Sequence, residues 1–307
     1  MRKVKLILIL TLLSGIYLPI FASIGGYPGG FLEYGFGGVN LAMGKSMNLS
    51  SPFSLMNNPS VGLFNPNKLS VETGYMSLPL DRRIYGLAGN YKVGRDASIG
   101  LIWINSAVGE LYERDIDGYI KGKISNSEHA LLFIFSKSIL DFISIGGAFK
   151  GVQANLFELN AFSMGADLGI SFHLLDKSLI LGASGKNLGV KYPWDSGEVY
   201  EHGVTSTEEF LQSFEISANY KKEFYLPFTV SSSFYKTEKN DGTLLAGLEI
   251  TPVEYIGLRI GYNGDNVTFG TGINYSMGDY KLGFNWAMIP SPLDLEPSQL
   301  FSLGFIF

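Results

Sequence analysis

Cysteine is absent from the chain, so no disulfide, thiol nucleophile or cysteine-ligated metal is available to it. Charge is sparse: Asp, Glu, Lys and Arg together make 17% of the 307 residues. The net charge of −5 leaves no basic footprint and argues against a nucleic-acid partner. After residue 23 no stretch approaches the roughly 18 apolar residues of a spanning helix. Histidine is scarce too. His129, His173 and His202 stand on separate elements with no acidic or histidine partner at ligand spacing, so no metal site is expected. No serine stands out as a partner for His173, and no glycine loop follows a strand and opens a helix. Neither an enzyme nor a cofactor is therefore expected.

Glycine (38 residues) and aromatics (14%) are plentiful instead. Residues 162–174 read FSMGADLGISFHL, with every even position apolar and every odd position small or polar. Successive strand side chains point to opposite faces, so this stretch has one greasy and one wet face. Soluble strands usually run about 3–10 residues, whereas a tilted membrane strand needs about 9–11. Similar alternation recurs along the chain. It gives strands near 68–77, 85–93, 97–106, 128–136, 143–152, 161–174, 179–188, 213–221, 228–236, 243–250, 255–262, 267–276, 280–288 and 299–307. The number is even, as expected of a bacterial single-chain outer-membrane barrel. Helical periodicity is confined to 204–213.

The connections carry a second pattern. After even-numbered strands they are mostly short, as at 94–96, 175–178, 251–254 and 277–279; after odd-numbered strands several are long, as at 107–127, 189–212 and 289–298. Transmembrane barrels have short turns at the periplasmic end and longer loops at the other. A soluble sandwich has no reason to sort its loops by parity. The chain also ends on FSLGFIF, whose Phe305 and Phe307 resemble the C-terminal insertion signal that the barrel-assembly machinery reads.

Residues 1–23 read as a secretory signal peptide: a basic start, an apolar core and small residues at Ala22 and Ser23. Residues 24–67 are rich in glycine yet too apolar for a solvated tail. They need a surface to bury Phe31, Phe36, Phe53 and Leu55, and the nearest is the interior of a barrel formed by 68–307. By parity, the lumen side of the strands carries Glu72, Lys92, Asp167, His173, Lys186, Glu215, Glu249, Arg259 and Lys281. Their mixed signs fit internal ion pairs that anchor the N-terminal segment, or simply a wet, satisfied lumen.

VNLAMGKSM at 39–47 and MNNPSVGL at 56–63 resemble the opening motifs of PorV/PorQ-type and FadL-type outer-membrane proteins. Asn58, Pro59 and Leu63 match the family pattern. Ser60 replaces its alanine, Val61 is inserted before Gly62, and Lys45 replaces a glycine. LGASGKNLG at 181–189 resembles a second feature of the PorV/PorQ group, an Asn-Leu-Gly ending near mid-barrel. The resemblance implies an all-β barrel of about fourteen strands in the outer membrane, in contact with its lipid, with 24–67 as a hatch inside the lumen. It also implies one of two roles. FadL-type members pass hydrophobic small molecules, and PorV-type members are accessory subunits of a secretion system. In either role Asn58 and Pro59 form a turn that sets Phe53, Leu55 and Leu63 against the inner wall, with Pro59 driving Asn58 into extended backbone.

Overall fold

The computed structural model describes residues 27–64, 67–197, 199, 201–223, 225–291 and 295–307. The expected signal segment 1–23 lies outside the described residues.

Among the described residues, eighteen strands follow the N-terminal segment. They are β1 (Leu69–Leu78), β2 (Arg82–Val93), β3 (Ala97–Val108), β4 (Leu111–Arg114), β5 (Ile120–Ile124), β6 (Asn126–Leu140), β7 (Ile143–Leu156), β8 (Leu159–Leu174) and β9 (Leu179–Leu188). Then come β10 (Lys191–Asp195), β11 (Thr205–Glu209), β12 (Ser213–Glu223), β13 (Pro227–Thr237), β14 (Asn240–Val253), β15 (Ile256–Tyr262), β16 (Val267–Met277), β17 (Tyr280–Ile289) and β18 (Ser298–Ile306). Fourteen of them close a ring in chain order, with β4–β5 and β10–β11 as separate hairpins. Every ring neighbour is antiparallel, and β1 meets β18 from Ser70↔Ile306 to Ser77↔Gln299. Leu69 and Phe307 exchange two backbone hydrogen bonds of 2.8 Å at the seam. Closure leaves no edge strand, the condition that hydrocarbon imposes on a sheet.

The ring explains the alternation. On β8 the even residues Phe162, Met164, Leu168 and Phe172 are exposed outside, while Asp167, Ser171 and His173 are buried inside. Phe133, Phe149, Ile216, Phe284 and Leu303 continue the apolar exterior around the ring. In water such a surface would be unstable; in a bilayer it faces lipid tails.

The long connections carry structure of their own. Both hairpins stand at the long-loop end. The segment 204–213 is not helical: Thr205–Glu209 forms β11, pairing with β10 from Lys191↔Glu209 to Asp195↔Thr205. Its apolar residues Phe210 and Leu211 are buried, and its polar run is an exposed ribbon. Cross-strand pairing overrode the weak local periodicity.

Candidate functional site

The N-terminal segment lies inside the ring. It forms two short helices, Gly30–Glu33 and Gly38–Ala42, then two 3-10 turns, Pro52–Met56 and Pro59–Leu63. Its side chains Phe36, Leu41, Met47, Phe53 and Leu55 are 0–1% exposed.

The wall makes room for it with glycine. Eight inward glycines on eight strands would set a β-carbon within 3 Å of this segment. They are Gly86, against Phe36; Gly100, against Leu55; Gly146, against Pro59; Gly169 and Gly182, against Asn58; Gly247, against Met43; Gly261, against Gly44; and Gly270, against Ala42. These glycines let the segment approach the wall backbone closely, five of them against its side chains and Gly146, Gly247 and Gly261 against its backbone.

Asn58 has extended backbone (φ −148°, ψ 112°) and caps the second 3-10 turn by accepting from Ser60 N at 2.9 Å. Its Nδ2 donates to Ile170 O at 3.2 Å and Ala183 O at 3.3 Å, reaching β8 and β9. Ser136 on β6 donates to Pro59 O at 2.6 Å, and Asn90 on β2 donates to Gly62 O at 2.8 Å. Phe53 and Leu55 are buried, whereas Leu63 lines a chamber. Val61, 2% exposed, takes the buried place.

The candidate lumen charges fall into separate groups. Asp167 pairs with Lys150 at 2.9 Å, and Lys186 with Glu215 at 3.6 Å. Glu249 pairs with Arg259 at 2.5 Å, and Arg259 also donates to Asn285 Oδ1 at 3.0 Å. Glu72 has no ion pair among the described residues; it accepts from Ser51 Oγ at 2.5 Å and Gly38 N at 3.3 Å, tying the segment to β1. Lys92, His173 and Lys281 line the chamber at the short-turn end. The expectation of a wet face on β8 needs correcting. Asp167 is inward but only 1% exposed, because protein fills the lumen at that level.

Three groups were missed by sequence. Lys150, on β7, was overlooked although strand parity places it inward. Glu33 and Lys45, on the N-terminal segment, carried no periodic signal. With Asp167, Lys186 and Glu215 they surround a cavity of about 40 Å³, room for on the order of one or two waters. Three acids face three bases there. Lys45 occupies the left-handed region (φ 61°) and donates to Glu33 O at 3.0 Å. Burial in this node pushes the Lys45 ammonium below the usual lysine range, the nearby Glu33 opposing it. The Glu33 carboxylate accepts from Asn187 Nδ2 at 3.2 Å and from the Tyr235 hydroxyl. Asn187 (φ 62°) lies beside a register break in the β8–β9 ladder between Ala166 and Leu168, and it also donates to Leu211 O at 3.0 Å. One node thus joins the segment, the wall and the β9–β12 connection.

That connection covers the long-loop mouth. Tyr192, Phe210 and Val190 are buried, and Tyr192 packs edge-on to Phe210 at 4.8 Å and donates to Glu128 at 3.2 Å.

No family model matches the chain, and no curated protein is similar to it. Solved structures are. The toluene transporter TbuX of Ralstonia pickettii shares 12% identity at a TM-score of 0.63, covering 88% of this chain and 97% of its own. The toluene transporter TodX of Pseudomonas putida gives 13%, 0.58, 89% and 96%. The fold is that of the FadL-type barrels. A FadL homologue of Pseudomonas aeruginosa matches likewise, with 10% identity, a TM-score of 0.57, and 88% and 97% coverage.

Proposed function

We propose that this is an exported outer-membrane barrel that binds or passes hydrophobic small molecules, with 24–67 as its hatch. Signal peptide, loop parity and the Phe305–Phe307 ending support export and insertion by the barrel-assembly machinery. The short-turn end then faces the periplasm. The observation that carries the reading is a full-width barrel filled by its own segment, which meets the wall through glycine contacts, buried apolar side chains and single hydrogen bonds. Such contacts can be broken a few at a time. The barrels of like fold include toluene transporters, which agrees with an apolar cargo. Expression in the outer membrane should raise uptake of the hydrophobic dye N-phenylnaphthylamine. Uptake equal to that of cells with no added barrel would reject transport.

One observation favours the second role, an accessory of a secretion machine as in the PorV/PorQ group. The long-loop mouth is covered, while Ile116, Tyr119 and Val204 stand exposed on the outer hairpins and connection. Co-purification of secretion-system subunits, lost when these three are changed to Ser, would support that role.

A further inference from the structure

The short-turn mouth holds a chamber of about 660 Å³, apart from the ion-paired node. That volume suits a small molecule, since ligand pockets run to about 300–1,000 Å³. Its roof is apolar and belongs to the N-terminal segment, through Leu49, Leu63 and Phe64. One stretch of its rim, from β2 round to β12, is basic: Lys92, Arg95, Lys177 and Lys221. None of these four has a carboxylate within 4.0 Å among the described residues. Asp96 and Asp141 share that stretch, so four cations face two acids. Across the chamber Lys281 and Glu254 line the wall, Glu249 is matched by Arg259, and the buried Glu72 is held by Ser51 and Gly38. Lys177 lies within electrostatic reach of both Lys92 and His173.

His173 adds an independent sign. It lines the chamber but is only 9% exposed. Its Nε2 meets Ser144 Oγ at 3.1 Å, its ring packs edge-on to Phe64 at 4.1 Å, and its Nδ1 has no partner. Whichever ring nitrogen carries the proton, Nδ1 is a buried polar atom without a partner among the described residues, which folded proteins rarely tolerate.

We propose that this chamber binds a small organic anion, its carboxylate among Lys92, Lys177 and His173 and its apolar body beneath Leu63 and Phe64. The site does not depend on transport: a barrel that passes no dye would still bind, so the two readings fail separately. The test is titration calorimetry on the full chain folded in detergent, at low ionic strength, with benzoate, benzyl alcohol and inorganic phosphate. Benzoate should bind at least about tenfold more tightly than either of the others. Lys92→Gln with Lys177→Gln should lose that advantage while keeping heat-modifiable migration on gels. On the unaltered protein, added salt should weaken benzoate and leave benzyl alcohol unchanged, a readout that stands even if the double variant fails to fold. Absence of benzoate binding, equal binding of benzyl alcohol or phosphate, salt-independent benzoate binding, or an unchanged folded double variant would each overturn the site.

Discussion

The inner wall has two arcs that hold the N-terminal segment by different physics. Toward the long-loop end, β1–β3, β6 and β7 offer Met76, Ile84, Ile102, Ile104, Leu132 and Val152, all buried. Phe36, Phe53 and Leu55 pack into the same apolar core. From β9 through β16 the wall offers hydroxyls and amides instead. Ser184 donates to Asn57 O at 2.7 Å, Asn219 to Met47 O at 3.0 Å and Thr268 to Ala42 O at 3.0 Å, while Ser46 and Ser231 meet at 2.6 Å. A fully buried Phe or Leu contributes roughly 1.5–3 kcal/mol. A neutral hydrogen bond contributes about 0.5–1.5 kcal/mol net. The apolar arc therefore supplies most of the holding free energy, and the polar arc fixes where the segment sits.

The largest expected effect lies at the seam between the arcs. Asp167→Ala strands Lys150 in a site where both partners are buried, and should cost about 3–5 kcal/mol of unfolding free energy, measured by urea titration in detergent. Leu168→Arg, one residue on but facing out, should cost about 2–4 kcal/mol through the lipid rather than the lumen. Both changes therefore damage β8 by separate routes. If Asp167→Ala costs nothing, the node is not structural.

The alternation of 162–174 was legible because lipid enforces one face of every strand. The even strand number and the loop parity were legible for the same reason. The inner face was read only in part. Parity put Asp167 inside but could not show that other protein, rather than water, would meet it. Lys150 fell in a strand whose pattern Gly146 and Gly147 blur. Glu33 and Lys45 belong to a segment whose shape is set by the wall, so no local period marks them. The β4–β5 and β10–β11 hairpins were missed because their strands run only four or five residues, too short for alternation to stand out, and TSTEE is exposed throughout.

Smaller changes separate the arcs further. Gly146→Val puts a side chain into the Pro59 backbone and should cost about 1–3 kcal/mol by overpacking. It should also expose a cysteine placed at Ser54 to a bulky maleimide, a clean readout because the chain has no native cysteine. Asn219→Ala removes one bond from the polar arc, should cost about 1 kcal/mol, and should raise the same labelling rate only slightly. Equal labelling in both variants would contradict the division of labour between the arcs.

The most direct test of the hatch is to lock it. Ser46 and Ser231 hydroxyls lie 2.6 Å apart, one on the segment and one on β13, close enough for paired cysteines to bridge. Ser46→Cys with Ser231→Cys should, when oxidised, abolish barrel-dependent uptake of N-phenylnaphthylamine, and a reductant should restore it. Uptake that is unchanged by a fully formed disulfide would show that the segment does not have to leave this wall, and the hatch account would be wrong.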